Sequence, residues 1–217
     1  RLGQSLGINL IPPKVCSFSC VYCQLGRTKK MKIERTSFYE PEKIKKEIKK
    51  VLDNLNKKGE KVDYLTFVAD GEPTLDINLG ELAKMIKKFD VKTAIITNSS
   101  LISDEKLRKE LHEIDWVSLK CDAFSTDIWK QIDRPHGQLK LKKLQQGMKE
   151  FSSNYNGHLA TETMLISGIN DKSEELNKIA DFIKDLITDI SYLSIPARPP
   201  AEKNVHGPSA EKINQAF

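Results

Sequence analysis

The stretch KVCSFSCVYC, residues 14–23, places three of the four cysteines of this chain in the spacing C-x3-C-x2-C. Three thiolates on one short loop can face a single metal centre, and soft thiolates select zinc, copper(I) or iron–sulfur clusters. A structural zinc site is closed by four protein ligands. Cys16, Cys20 and Cys23 therefore favour a cubane cluster in which one iron stays free to bind another molecule.

Two other interpretations of the cysteine loop remain open. One is a disulfide pair with a spare thiol, and the other is a zinc ion with a fourth ligand from elsewhere. No histidine lies near the triple; the chain has His112, His136, His158 and His206. Four cysteines in a lysine-rich chain without a secretory apolar segment indicate a reducing cytoplasm, where such triples bind metal.

Length and composition limit the class of protein. A chain of 217 residues suits one domain, and 39% hydrophobic residues are enough for a core. No apolar stretch approaches the length of a membrane span, so we expect no membrane partner. The net charge of +5 is compatible with a nucleic-acid partner. The lysines of 42–61 and 138–150 alternate with apolar residues at helical spacing, which is typical of a solvated helix face.

Strand-like apolar runs alternate six times with amphipathic helical patterns. The predicted strands are 8–11, 64–69, 93–97, 116–121, 159–166 and 190–195. The predicted helices follow Pro41, cover 79–89, begin after Ser103 as N-cap, cover 125–132 and 141–151, and begin after Ser173 or Asp171 as cap. Repeated strand–helix units predict an α/β fold with parallel strands, and periodicity alone leaves an open sheet and a barrel both possible.

Polar residues follow the predicted strands, where loops at the carboxyl ends build the site of such folds. Gly71, Glu72 and Pro73 follow the second strand, and Asn98 follows the third. A carboxylate and exposed carbonyls can accept hydrogen bonds from an ammonium group, and glycine permits a close backbone approach. In these positions each residue is also compatible with an ordinary turn.

The later strands carry charges on one face. Lys120 and Asp122 alternate with Cys121, so they share a face, and we expect Cys121 to be a buried core thiol. Buried charges need partners, and Glu162 lies in the middle of the fifth strand. Lys120 is a candidate partner for a carboxylate, and Asp122 and Glu162 are candidate partners for hydroxyl groups.

The cysteine triple, with Tyr22 before its last member, resembles the signature of the radical S-adenosylmethionine superfamily, and DGEPTL (70–75) resembles its GEP motif. The resemblance covers nearly the whole chain. It implies a (βα)6 three-quarter barrel, with a core over 1–200 and the start of a C-terminal extension over 201–217. It also implies a [4Fe–4S] cluster on the three cysteines and S-adenosylmethionine on the free iron. An electron from the cluster then cleaves the sulfonium to methionine and a 5′-deoxyadenosyl radical, which abstracts hydrogen from a substrate.

Carried over to this chain, the resemblance implies a set of residues around S-adenosylmethionine. Tyr22 and Ile166 are expected near the adenine, and the segment Gly71–Pro73 near the amino group. Asn98 falls where members carry TNG, with Ser99 in place of the glycine. The remaining expected members of the site are Lys120, Asp122, Glu162 and Pro196.

The motifs IDRPHG, ETMLISGIND and PARPPAE resemble one subgroup, the iron–sulfur oxidoreductases similar to wyosine-type tRNA-modifying synthases. This implies tRNA as the substrate, with Arg134, His136 and Arg198 on the substrate rim, and a flavodoxin- or ferredoxin-like protein as external one-electron reductant. Those synthases carry a second cluster and a lysine upstream, whereas the residues before Cys16 contain no cysteine and only Lys14. A radical enzyme acting on a protein or small metabolite, and a non-catalytic metal-binding module, are the alternatives.

Overall fold

A six-stranded parallel sheet forms the centre of the computed structural model, which describes residues 2–217. Its strands are β1 (Ser5–Ile8), β4 (Tyr64–Phe67), β5 (Lys92–Thr97), β6 (Trp116–Lys120), β7 (His158–Met164) and β8 (Ile190–Ser194). They lie side by side in this order, and every neighbouring pair is parallel. Within residues 2–217 the order does not return from β8 to β1, so the sheet is a partial barrel with two open edges.

Helices follow the strands along the chain, and α1 to α6 connect one strand of the sheet to the next. They are α1 (Pro41–Lys57), α2 (Leu79–Ile86), α3 (Glu105–Leu111), α4 (Thr126–Ile132), α5 (Leu141–Ser152), α6 (Ser173–Lys184) and α7 (Ala210–Ala216). Pro41 occupies the first turn of α1, where its missing N–H costs nothing. The alternation confirms the predicted α/β fold with parallel strands. None of these helices combines the length and hydropathy that crossing a bilayer requires.

The first predicted strand is displaced. We expected it at 8–11, but β1 ends at Ile8. The Asn9 side chain accepts a hydrogen bond from the Ile11 N–H at 3.1 Å, which turns the chain away from the sheet. Pro12 and Pro13, which follow, have no N–H to continue a ladder. A second ribbon, β2 (Val15–Cys16) with β3 (Lys30–Met31), lies in the cysteine region and was not predicted.

Two predicted helix caps are wrong by one residue or more. Asp104, not Ser103, caps α3 by accepting from the Lys106 N–H at 2.8 Å. Neither Ser173 nor Asp171 caps α6, whose N-cap position is Lys172. The Asp171 carboxylate instead accepts from the Gly168 N–H at 2.9 Å and pairs with Lys212 at 2.7 Å. A short carboxylate serves only the donors closest to it, and these lie outside α6.

The segment after β8, residues 196–207, returns across the end of the barrel. The Glu202 N–H donates to the Val21 carbonyl at 3.1 Å, and the Ser167 N–H donates to the His206 carbonyl at 3.0 Å. The Glu202 carboxylate also binds Arg27, at 2.9 and 3.0 Å. This strap therefore fastens the last strand to the cysteine loop. The division of the chain at residue 200 stays a prediction.

Ser99 occupies a backbone conformation that suits glycine. Its φ is 64°, and it is 1% exposed. Among the described residues its hydroxyl has no hydrogen-bond partner. A non-glycine residue in the left-handed region costs about 1–2 kcal/mol, and a buried hydroxyl without a partner adds to that cost.

We therefore expect Ser99→Gly to raise the free energy of unfolding by about 1 kcal/mol, as measured by urea denaturation. Ser99→Ala removes the hydroxyl but keeps the strained φ, and it should recover less stability than glycine. A glycine variant less stable than the alanine variant would contradict the assigned strain.

Candidate metal-cluster site

The three cysteines of the loop line one cavity of about 180 Å³. All three are free thiols and half-buried, whereas Cys121 is free and 5% exposed within the core. The cavity lies against β2 and the start of the loop that follows β4. Its other lining residues are Lys14, Phe18, Gln24, Leu25, Gly26, Thr28, Ala69, Asp70 and Gly71.

The last residue of α4 and the segment that follows it hold one side of the cysteine loop. The Ser19 N–H donates to the Asp133 carbonyl at 3.0 Å, and the Val21 N–H donates to the Ile132 carbonyl at 2.9 Å. The His136 N–H donates to the Ser17 carbonyl at 2.9 Å. Arg134 and His136, predicted as substrate rim, thus belong to the segment that supports the cysteine loop.

The loop after β4 holds the other side. The Lys14 N–H donates to the Asp70 carbonyl at 2.7 Å, and the Glu72 N–H donates to the Val15 carbonyl at 3.2 Å. A Cβ added to Gly71 would lie 1.8 Å from the Val15 oxygen. Only glycine permits this approach. The close backbone approach predicted at Gly71 is therefore present, and the group approached is the Val15 carbonyl.

Glu72 is 2% exposed, and its carboxylate is fully engaged inside the protein. Oε1 accepts from the hydroxyls of Thr74 at 2.7 Å and Thr97 at 2.5 Å, while Oε2 accepts from the Asn98 N–H at 2.8 Å. Burial raises the pKa of Glu72 in spite of these hydrogen bonds. The carboxylate therefore ties the ends of β4 and β5 together, while Asp70 and Gly71 of the same loop line the cavity of the cysteines.

Asn98 connects the end of β5 to the cysteine loop. Its side-chain amide donates to the Ser17 hydroxyl at 2.9 Å and lies 3.5 Å from the Cys16 sulfur. Its side-chain oxygen accepts from the Ser100 N–H at 2.9 Å. Asn98 thus lies beside the first cysteine, with its amide directed at that part of the loop.

Buried acids surround Tyr22. Its hydroxyl donates to Asp122 Oδ2 and, at 3.4 Å, approaches Asp133 Oδ1. The Cys20 thiol donates to the same Asp133 oxygen at 3.3 Å. Burial and the neighbouring charge of Asp122 raise the pKa of Asp133 well above its usual range. Sequence reasoning gave Asp133 no role, although Asp133 lies within the quoted motif IDRPHG, residues 132–137.

Lys120 and Glu162 form a buried pair at 2.8 Å, with side-chain exposures of 14% and 9%. The ammonium also lies 5.1 Å from the centre of the Tyr22 ring. Burial opposes the charge, but Asp122 and Glu162 hold the pKa of Lys120 above its usual value. The predicted shared face of Lys120 and Asp122 is therefore present, and both residues have partners within the protein.

The other predicted site residues lie in the core, in the short helix after Glu72 and on the strap. Ile166 is 1% exposed, and its N–H donates to Asn170 Oδ1 at 2.8 Å. Pro73 is buried in the short helix after Glu72. Pro196 begins the strap, and Arg198 is exposed on it, donating to Gln24 at 2.8 Å. Arg198 thus stays close to the cysteine loop through Gln24.

The donor set of the cavity suits a cluster. Burial, with the charge of Glu72, raises the pKa of the Cys16 thiol to about 12, so the thiolate needs a metal to stabilise it. Among residues 2–217 no group of three or more His, Cys, Asp or Glu could hold a single metal ion. In a [4Fe–4S] cluster each cysteine binds a different iron. The three thiols therefore need not converge on one point, as they do around zinc at about 2.3 Å.

Comparison with known proteins gives a family. Residues 10–183 match the sequence profile described as the radical SAM superfamily. The relative UPF0026 protein MJ1312, from Methanocaldococcus jannaschii, is 50% identical over 215 residues, covering 99% of this chain and 66% of the relative. A probable dual-specificity RNA methyltransferase RlmN, from Endomicrobium trichonymphae, is 25% identical over 210 residues, covering 92% of this chain and 57% of the relative. The chain thus spans two thirds or less of these relatives.

Solved structures share the fold. A radical SAM methyltransferase from Sphaerobacter thermophilus superposes with a TM-score of 0.73 at 14% identity, over 98% of this chain and 61% of that chain. A structure of TYW1 with a lysine–pyruvate adduct bound superposes with a TM-score of 0.68 at 17% identity, over 98% of this chain and 71% of that chain. These likenesses concern the arrangement of strands and helices, and they agree with the partial barrel.

We expect Gly71→Ala to loosen the cysteine loop, because the added Cβ would overlap the Val15 carbonyl. After anaerobic reconstitution the variant should retain less than about half of the wild-type iron and sulfide, since a misplaced loop binds metal poorly. Iron and sulfide per chain are the measurement. Gly137→Ala is the matched control, because a Cβ there meets nothing within 4 Å. Equal iron content in both variants would show that the contact at Val15 does not shape the site.

Proposed function

Because the chain belongs to the radical SAM superfamily, whose members bind a [4Fe–4S] cluster and S-adenosylmethionine, we propose that it cleaves S-adenosylmethionine reductively. Cys16, Cys20 and Cys23 are the proposed cluster ligands. The observation that supports this function most directly is the gathering of three free thiols on one cavity, beside Gly71. In such an enzyme the reduced cluster supplies one electron that divides S-adenosylmethionine into methionine and a 5′-deoxyadenosyl radical.

The residues around the cavity have separate tasks in this proposal. Phe18 and Val21, 2% and 3% exposed, exclude water from the inner side of the loop. Glu72, through Thr97 and Asn98, fixes the backbone near Gly71 where the amino group of S-adenosylmethionine is proposed to bind. Free backbone carbonyls are suitable acceptors for that group.

The lumen residues are proposed to bind the rest of S-adenosylmethionine. Asn98, Lys120, Asp122 and Glu162 present amide, ammonium and carboxylate groups on the inner side of β5, β6 and β7. The Lys120–Glu162 pair and the hydrogen bond of Asp122 with Tyr22 pre-organise the charged groups, so ligand binding exchanges partners without exposing a lone buried charge. Tyr22, held by Asp122, and the buried Ile166 are the proposed apolar neighbours of the adenine.

RNA is the substrate class that we propose, with tRNA as the first candidate. Two observations support it: the motif resemblance to tRNA-modifying synthases, and a relative named as an RNA methyltransferase at 25% identity over most of this chain. The exposed Arg134 and Arg198 lie on segments that touch the cysteine loop. A protein or metabolite substrate is the alternative.

Free thiols at all four cysteines agree with a reducing, cytoplasmic location.

Changing any one of Cys16, Cys20 and Cys23 to alanine should abolish the cluster absorbance near about 400 nm. The same variants should form no 5′-deoxyadenosine from S-adenosylmethionine when dithionite is the reductant. Liquid chromatography of the nucleoside is the measurement. Cys121→Ala is the control, because that thiol lies in the core and should leave both signals intact. A wild-type protein that binds the cluster yet releases no 5′-deoxyadenosine would refute reductive cleavage.

If tRNA is the substrate, its affinity should fall steeply between about 50 and 200 mM salt, because each phosphate contact releases counterions. Changing both Arg134 and Arg198 to alanine should weaken binding at least threefold and reduce the salt slope. Filter binding of radiolabelled tRNA to the reconstituted protein measures both. Arg108→Ala, an arginine that pairs with Glu150 on the helical layer, is the control. Affinity that ignores salt and the double substitution would direct the search to protein or metabolite substrates.

A further inference from the structure

The polypeptide that carries the cysteines is strongly cationic. Residues 14–32 contain five Lys or Arg and no Asp or Glu. Arg27 is paired with Glu202. Over residues 2–217 the other four take part in no ion pair, and we call them the lysine surface: Lys14, Lys29, Lys30 and Lys32.

Backbone hydrogen bonds bring this lysine surface against the cluster loop. The N–H groups of Lys29 and Lys30 both donate to the Lys14 carbonyl at 3.1 Å, and the Lys32 N–H donates to the Cys16 carbonyl at 3.1 Å. Neighbouring strands lie about 4.8 Å apart. The exposed Lys29 and Lys30 therefore stand one strand spacing from the backbone that leads into the first cysteine.

Lys14 extends the positive charge to the cavity itself. Its φ of 63° is unusual for lysine, and its ammonium lies so close to Gly26 that an added Cβ there would be 3.1 Å from Nζ. Lys14 also lines the cavity of the cysteines. The opposing charge at the cavity is Asp70, whose Oδ2 accepts from Asn9 at 3.1 Å. On the outer side of the loop, Lys29 and Lys30 form no ion pair with any acid of residues 2–217.

We propose that the lysine surface is the docking site for an acidic one-electron carrier protein of the flavodoxin or ferredoxin class; the inference rests on the proposed reductive cleavage. Each cleavage consumes one electron: the carrier is oxidised by one electron, and the C5′–S bond of S-adenosylmethionine breaks to methionine and the radical. Electron transfer between proteins weakens steeply with distance, so the carrier must bind where the cluster lies nearest the surface. Positive charge there raises the association rate of an acidic partner.

RNA is the other anionic macromolecule that such lysines attract. The position of the lysines decides between the two. Lys29 and Lys30 belong to the ribbon that carries Cys16, so a redox partner bound there lies close to the backbone of a proposed cluster ligand. The proposed RNA contacts, Arg134 and Arg198, lie on other segments.

The test compares two reductants on the reconstituted holoenzyme. The variant is Lys29→Gln with Lys30→Gln, and the matched control is Lys46→Gln with Lys50→Gln, two exposed lysines of α1. With limiting reduced flavodoxin at low salt, the first variant should form 5′-deoxyadenosine about tenfold more slowly, and the difference should vanish near 0.5 M salt. With dithionite, variant, control and wild type should have equal rates.

Direct binding of flavodoxin at low salt separates failure of this inference from failure of the proposed function. Binding that the Lys29/Lys30 substitutions weaken at least fivefold supports the docking site, even if dithionite yields no 5′-deoxyadenosine and reductive cleavage has to be abandoned. The docking site is overturned if wild type and variant bind flavodoxin alike, if the α1 control loses as much, or if wild type binds no flavodoxin while dithionite drives cleavage. It is also overturned if the substitutions weaken tRNA binding and spare the flavodoxin-driven rate, which would assign the surface to RNA.

Discussion

The rest of the site depends on the hydrogen bonds of the buried Glu72 carboxylate. The carboxylate joins the loop after β4 to the end of β5 through Thr97 and the Asn98 backbone. Asn98 then reaches Ser17, and the loop of Glu72 reaches the Val15 carbonyl. A buried carboxylate without these donors would be costly. The hydrogen bonds of Glu72 with Thr74, Thr97 and Asn98 and the conformation of both loops therefore depend on one another. These hydrogen bonds thereby fix the position of the cysteine loop relative to the central strands of the sheet.

The other side of the cysteine loop has an independent support. Backbone groups of 132–136 bind those of 17–21, as two short strands would, and the strap adds a hydrogen bond at Val21. Loops are usually the mobile parts of a protein. Here three separate segments hold a loop that has little regular structure of its own. The three thiols therefore lie at one cavity without a metal to hold them there.

Much of the fold was predictable because its signals are local. Six apolar runs became six parallel strands, and the helix after Pro41 begins where proline is tolerated. The first strand was misplaced because an apolar run such as 8–11 is expected both in a buried strand and in a segment that packs beneath a loop. Only the Asn9 side chain and the two prolines reveal the turn.

The grouping of the three cysteines at one cavity was predictable, and the contacts around them were less so. The spacing of the cysteines and the position of Gly71 follow from chemistry that a sequence displays. Glu72 was predicted as an acceptor for an ammonium, which stays a prediction. Its hydrogen bonds to Thr97 and Asn98 were not predicted, because they join residues about 25 positions apart in sequence. Asp133 went unnoticed for the same reason: its meaning comes from Cys20 and Tyr22, more than 100 residues away.

The strap at Glu202 also means that the cysteine loop is synthesised well before one of the segments that supports it. Val21 and Arg27 are synthesised early, but their partner Glu202 lies roughly 180 residues later. At a synthesis rate of about 5–20 residues per second, the cysteine loop spends roughly 10–40 s outside the ribosome before its last support exists. During that interval the thiols are open to oxidants and to stray metal ions. A cell that makes this protein therefore has to protect the loop, or deliver iron and sulfide only after translation has passed the strap.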